Sequence, residues 1–235
     1  MNTFADFFSD FNWTGMLNFF LSALAVLLCI TVHETSHGLA AYLLGDPTAK
    51  GEGRLSLNPL KHLDPLGALM LFTVGVGWAK PVSVDPRYFR NPKWGMALTA
   101  LAGPVSNFLL SLAALFLGSA LVKTGLVEKD FFLMFFFLLC HMAVRSLGLG
   151  LFNLIPISPL DGSKVLLAFL PEKVYWTILR YERYIFLVVI ALSFLGAFNG
   201  ILNRGIWAVL GLFCRFTGLP LETVLYGNYI FRVLG

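Results

Sequence analysis

The residues best suited to chemistry in this sequence are His33, Glu34 and His37, which form an H-E-x-x-H pattern. Four residues turn an α-helix by about 400°, so on a helix the two imidazoles lie one turn apart on nearly the same face. Together they can bind one metal ion, and the pattern is typical of zinc. The carboxylate of Glu34 lies beside such a metal without ligating it and can accept a proton from water. The pattern therefore predicts a zinc site with Glu34 as its general base.

The surroundings of this pattern are apolar, which argues against a chance occurrence. The run from Met16 to Val32 contains no charged residue, and we expect one continuous helix from about residue 15 to residue 44. Ionisable side chains inside a membrane are costly unless they have partners. A metal ion would be a partner for both histidines, and its bound water would be a partner for the carboxylate of Glu34.

A catalytic zinc site needs a third protein ligand and an open fourth position. The best candidate is Asp161, in the stretch Asn153-Leu-Ile-Pro-Ile-Ser-Pro-Leu-Asp-Gly162. Pro156 and Pro159 interrupt a helix, and irregular backbone at membrane depth persists only when it packs in protein or lines a wet cavity. Asp is also a preferred N-cap residue, so from these residues alone Asp161 could equally cap a helix that begins there.

The composition predicts that helices in a membrane hold these residues. Of 235 residues, 57% are hydrophobic and 13% are charged, about half the charged share of a soluble domain. Because about 20 apolar residues cross the hydrocarbon layer as a helix, we predict an all-α, multi-pass helical bundle with four clear spans and up to six. The runs with at most one charged residue are Met16–Val32, Ala97–Val122, Phe131–Phe152 and Ile185–Asn203.

Three shorter segments are less clearly defined. Residues 65–79 are apolar but rich in glycine, and residues 205–214 are bracketed by arginines, so each could cross, re-enter or lie on the membrane. In the loop that follows the first span, turn signals flank Arg54–Leu57, whose alternation is typical of a strand. We predict a small β element there, at the membrane surface on the cytoplasmic side.

The basic residues of the loops predict the orientation. Lys and Arg are concentrated in residues 45–95 and 162–183, and basic loops stay on the cytoplasmic side. The N-terminus is then predicted outside, in a cell membrane that the chain crosses several times, with the candidate site nearer the cytoplasmic face. The formal net charge of +4 is spread over these loops, and we expect no nucleic-acid partner.

Taken together, the motifs resemble those of a known family. His33-Glu-Thr-Ser-His37 with the downstream stretch Asn153–Gly162 resembles the site-2 proteases, intramembrane zinc metalloproteases that cut transmembrane or near-membrane segments of other proteins. Gly103-Pro-Val-Ser-Asn107 is similar to the G-P-x-x-N helix of that family. The resemblance covers roughly residues 15 to 170, and Ser158 departs from the proline that many members have.

The resemblance implies a zinc-dependent metalloendopeptidase that acts in the lipid bilayer on transmembrane or membrane-anchored protein substrates. Residues 1–235 would form one protease domain, with a catalytic core at about 15–170 and C-terminal helices at about 171–235. No stretch is long enough for the PDZ or CBS domains of some members, so the sequence resembles the minimal subgroup. The implied site has one zinc ion per chain, with His33, His37 and Asp161 as ligands, Glu34 as base and Asn153 as a contact to the substrate backbone, which a strand of the 45–65 loop would hold extended.

Two other classes of function are compatible with a metal pattern in a membrane protein. A non-proteolytic zinc-binding receptor or chaperone of transmembrane segments would keep the ligands but would not need Glu34. A transporter typically has internal repeats with paired broken helices, and the sequence has no repeat. Among single residues, Glu52 is a disfavoured alternative ligand, because it lies among loop glycines, and His62 is expected to be a solvated loop residue.

Overall fold

The computed structural model describes residues 13–67, 80–225 and 227, most of them in helices. Three long helices are followed by an irregular turn, a short helix and a pair of helices nearer the C-terminus. The connections contain 3₁₀ turns at Pro59–Lys61, Pro86–Tyr88 and Leu126–Glu128. The α-helices with both ends in the described residues are α1 (Trp13–Leu43), α2 (Thr48–Gly51), α3 (Pro92–Lys123), α4 (Asp130–Asn153), α5 (Asp161–Ala168), α6 (Glu172–Phe194) and α7 (Asn199–Thr217).

Helices α1, α3 and α4 are each long and apolar enough to cross a membrane. They correspond to the first three predicted spans, and the all-α membrane class is confirmed. Large apolar side chains remain on the outside of these helices; on α3, for example, Leu109 is 62% exposed and Phe116 is 49% exposed. Such surfaces are compatible with lipid and costly in water.

The fourth predicted span, residues 185–203, is not one straight helix. The helix α6 ends before Gly196, which has a φ of +71°, and the hydrogen bond from Ala197 N to Leu192 O closes the helix end in the manner of a glycine C-cap. The axes of α6 and α7 differ by 77°, and only as a bent pair are they long and apolar enough for one span. The stretch 205–214, whose structure the sequence left open, lies inside α7.

Small residues bring α3 and α4 into close contact. Ala114 and Ala143 are buried, which lets two helix backbones approach in a membrane. Ser111 Oγ donates to Ala143 O at 2.9 Å, and Ser146 Oγ donates to Asn107 O at 2.8 Å. The helix α3 also packs against α1 and α5. A site formed by residues of α1 and α5 is therefore in contact with α3.

The predicted β element is not confirmed, because no strand occurs in the described part of the loop between α1 and α3. Residues 54–57 are irregular. Ser56 O contacts side chains rather than another strand: it accepts from Thr35 Oγ1 and lies 2.8 Å from His62 Nε2. His62 itself is fully buried, so the expectation that it is solvated is wrong. The predicted segment 65–79 lies, from residue 68 on, outside the described residues.

Candidate metal centre

Two histidines of α1 and an aspartate far away in the sequence meet in the interior. His33 Nε2 lies 3.0 Å from His37 Nε2, and Asp161 Oδ2 lies 3.1 Å from the first and 3.2 Å from the second of these nitrogens. Within the part of the chain that the structure describes, these residues form the group whose ligand atoms are close enough to hold a metal ion. All three residues are buried.

The triangle formed by the three atoms fits a zinc ion. In a tetrahedral site with bonds of about 2.0 Å, neighbouring ligand atoms are roughly 3.3 Å apart, and the observed sides measure 3.0, 3.1 and 3.2 Å. Two imidazole nitrogens and one carboxylate oxygen are a ligand set of catalytic zinc sites, which keep a fourth position open. The atoms are therefore suited to zinc both in type and in spacing.

The helix α3 holds the other nitrogen of each imidazole. His37 Nδ1 lies 2.8 Å from Thr99 O, and because a carbonyl oxygen can only accept, the neutral ring carries its proton on Nδ1. That tautomer leaves a lone pair on Nε2, the atom nearest Asp161. His33 Nδ1 lies 3.2 Å from Asn107 Nδ2, so the second histidine has a partner on the same helix.

The contact with Asn107 has two forms with different consequences. Asn107 is fully buried, and its Oδ1 has no hydrogen-bond partner among the described residues. A 180° rotation of the carboxamide exchanges oxygen and nitrogen, which would let Oδ1 accept from a protonated Nδ1 of His33. Only this second form leaves a lone pair on His33 Nε2, and it is the form that metal binding requires.

Gly103 lies between these two contacts and makes room for both imidazoles. A β-carbon at this position would lie 2.5 Å from His37 Nε2 and 2.6 Å from His33 Cε1. A side chain here would therefore push the histidines away from α3. Thr99, Gly103 and Asn107 are spaced four residues apart and form one stripe on α3 that faces α1.

Sequence reasoning found only part of this stripe. The resemblance singled out Gly103 and Asn107 but gave neither residue a role in the site. Thr99 was missed, because it contributes its backbone carbonyl, which every residue type has. The four-residue spacing of the stripe, matched to the four-residue spacing of His33 and His37, is the signal that could have indicated it.

Asp161 reaches the histidines because the chain folds back tightly before α5. Leu160 occupies the N-cap position of α5 and makes no side-chain capping bond, so Asp161 does not cap this helix and instead contacts the two imidazoles. The turn requires Gly162, since a β-carbon there would lie 2.2 Å from Leu154 O. Lys164 Nζ lies 4.0 Å from the second carboxylate oxygen of Asp161.

A cavity of about 520 Å³ opens at this group, and Glu34 lines it together with His33, His37 and Asp161. Glu34 Oε2 accepts a hydrogen bond from Val82 N at 3.0 Å. Among the described residues of the loop between α1 and α3, those that line the cavity are Pro81, Val82 and Val84, and none belongs to the predicted strand of the 45–65 loop.

The remaining predicted site residues have different positions. Asn153 lines the same cavity, and its Nδ2 donates to Leu149 O of its own helix at 3.0 Å. Glu52, the alternative ligand, is exposed at the end of α2 and does not belong to the metal-binding group. The structure thus brings together four of the residues expected to carry chemistry, with Asn153 beside them.

In the described part of the chain, three apolar helices and a buried His-His-Asp group beside a glutamate fit a membrane metalloprotease. Comparison with known proteins shows that the chain belongs to the site-2 protease family of zinc metalloproteases. It is 36% identical over 198 residues to "Putative zinc metalloprotease YwhC" of Bacillus subtilis, covering 81% of this chain and 89% of the relative. It is 27% identical over 233 residues to "Putative zinc metalloprotease Rip2" of Mycolicibacterium smegmatis, covering 97% of this chain and 85% of the relative. No protein-family model and no solved structure matches the chain.

Proposed function

We propose that the protein is a zinc-dependent intramembrane endopeptidase that cuts peptide bonds in or near the transmembrane segments of other membrane proteins. The observation that carries the proposal is the group formed by His33, His37 and Asp161 at a cavity that Glu34 also lines. The two helices that carry most of these residues or their partners, α1 and α3, are apolar enough to span a membrane. The zinc named in both relatives' descriptions agrees with the donor atoms present here.

In this proposal His33 Nε2, His37 Nε2 and Asp161 Oδ2 hold the zinc ion. Zinc at such a site supplies Lewis acidity, which makes water acidic near neutral pH and polarises a peptide carbonyl. Thr99 O keeps the His37 proton on Nδ1, away from the metal. The carboxylate of Asp161 offsets part of the positive charge in a buried place where an unpaired ion would be costly.

Glu34 moves the proton. Its carboxylate accepts a proton from the attacking water and delivers it to the amine nitrogen that leaves when the peptide bond breaks. Val82 N donates to Glu34 Oε2 and so fixes the orientation of the carboxylate at the cavity. A water molecule that loses its proton to Glu34 adds to the carbonyl carbon, and the C–N bond then breaks.

Substrate binding needs extended backbone, because the amides of a helix are wrapped and already hydrogen-bonded. A transmembrane substrate must therefore unwind locally before its peptide bond reaches Glu34. Asn153 lines the cavity, and in our proposal its carboxamide bonds to the substrate backbone. We further propose that the N-terminus lies outside and that the cavity is nearer the cytoplasmic face, in accord with the basic loops.

The variant Glu34→Gln tests the assigned chemistry. It removes the proton acceptor but no zinc ligand, so we expect full zinc content and cleavage of a membrane-anchored reporter reduced by at least about 100-fold. The matched control is Glu52→Gln, which makes the same change at an exposed carboxylate outside the site.

The same pair of variants separates the protease from a non-proteolytic zinc-binding receptor or chaperone. If Glu34→Gln cleaved as fast as the wild type and Glu52→Gln, Glu34 would not be the base. If no membrane-anchored reporter were cut by the zinc-loaded wild type while it still bound transmembrane segments, the receptor or chaperone would be the better description.

A further inference from the structure

The cavity contains a carboxylate that the proposed chemistry does not use. Glu182, on α6, lines the same cavity as Glu34 and Asp161. It is partly exposed and lies well downstream of both sequence motifs. Of the three acidic residues that line this cavity, Asp161 contacts the histidines and Glu34 is assigned to proton transfer, so Glu182 alone is left without a role.

Glu182 forms no direct ion pair among the described residues. Its Oε1 accepts a hydrogen bond from Ser158 Oγ at 3.2 Å. Lys164, the basic residue that lines this cavity, is instead near Asp161. A carboxylate without a direct ion pair, in a partly enclosed cavity, attracts a cation and repels an anion more strongly than it would in open water.

Glu182 also lines a second, neighbouring cavity. This cavity of about 460 Å³ shares Pro159, Glu182 and Phe186 with the first, and it is lined in addition by Arg180 and Arg183. Both arginines are exposed. A positive group of a substrate would be repelled by these arginines in the second cavity, whereas in the first cavity it meets Glu182 without them. The favourable position is therefore in the cavity that contains Glu34, close to the scissile bond.

We propose that Glu182 is a specificity residue, which binds a Lys or Arg side chain of the substrate within a few residues of the bond that is cut. This inference rests on the proposed protease function, and it specifies that the substrate has a basic residue near the scissile bond. Because the scissile bond lies inside a membrane-anchored chain, far from its end, the cation is a side chain rather than a free amino terminus.

The test uses one membrane-anchored reporter in which each position within three residues of the cleavage site is, in turn, Lys, Gln or Glu. The purified zinc-loaded protein is assayed in proteoliposomes, and the readout is the ratio of kcat/KM for the Lys and Glu reporters. At one position we expect the wild type to prefer Lys by roughly tenfold. Glu182→Gln should bring this ratio to within about twofold of unity, and Glu182→Lys should invert it.

The ratio within each variant cancels any common loss of activity or of folded protein. Ser158→Ala is the matched control, because it removes the hydrogen bond to Glu182 but keeps the charge, and it should retain the preference for Lys. A wild-type ratio near unity at every position, or a ratio that Glu182→Gln and Glu182→Lys leave unchanged, would overturn the assignment of Glu182 while the protease function stands. Failure of the wild type to cut any reporter would overturn both.

Discussion

The carboxamide of Asn107 contacts the imidazole nitrogen of His33 that points away from Asp161, at a distance of 3.2 Å. Both side chains are buried, so neither can exchange the other for water. The contact therefore decides which nitrogen of His33 carries the proton, and with it whether Nε2 can bind a metal.

Two substitutions at Asn107 test this relationship. A carboxylate accepts hydrogen bonds and donates none, so Asn107→Asp should keep the proton on His33 Nδ1. We therefore expect Asn107→Asp to bind zinc more tightly than Asn107→Leu. Loss of an outer partner of a ligating histidine typically weakens metal binding by about 10- to 100-fold, and we expect this for Asn107→Leu. Competition with a chelator of known affinity measures both variants. Equal, undiminished zinc binding by both would show that Asn107 has no part in setting the tautomer.

Gly103→Ala should disturb both histidines. Its β-carbon would lie within 2.6 Å of atoms of both rings, so the imidazoles must move and the ligand triangle must open. We expect zinc binding to weaken by at least about tenfold. Gly211→Ala is the matched control, since a β-carbon on that helical glycine meets no atom within 4 Å. If Gly103→Ala bound zinc with wild-type affinity, the close contact between position 103 of α3 and the two imidazoles would be contradicted.

Gly162→Ala should affect the fold as well as the site. The new β-carbon would meet backbone atoms of Leu154, the carbonyl oxygen at 2.2 Å, and backbone yields less easily than a side chain. We expect a destabilisation of about 1–3 kcal/mol and reduced zinc content, because Asp161 is the preceding residue. Thermal unfolding in detergent, with Gly200→Ala as control, measures the first effect. Equal unfolding temperatures for the two variants would contradict the tight turn.

The sequence was sufficient where a local period determines the geometry. The four-residue spacing of His33 and His37 places two imidazoles together on any helix, and long runs with at most one charged residue are enough to find α1, α3 and α4. The residues alone made Asp161 a candidate ligand but left an N-cap role equally open, and only the family resemblance favoured the ligand, because the fold of the turn around Gly162 depends on packing against Leu154.

Elsewhere the relevant contacts are tertiary and leave little trace in the sequence. The run between residues 185 and 203 is uncharged, and its hydropathy gives no sign of the helix end at Gly196. Hydropathy depends on residue polarity and does not predict the left-handed backbone conformation of that glycine. His62 lies in a polar loop, yet the fold buries it against Thr35 and Ser56. The contact of Thr99 with His37 is made by a backbone carbonyl, which every residue type has, so the sequence does not indicate it.

The zinc content of Asp161 variants tests the central claim most directly. Asp161→Asn keeps the size of the side chain and removes its charge, whereas Asp161→Ala removes the ligand. The control is Asp130→Asn, at an exposed position in the first turn of α4. Elemental analysis after size-exclusion chromatography should find about one zinc ion per chain in the wild type and in Asp130→Asn, and much less in both Asp161 variants that elute as folded protein. Full zinc content in folded Asp161→Ala would contradict the account, because the metal would then be held without the carboxylate that completes the site.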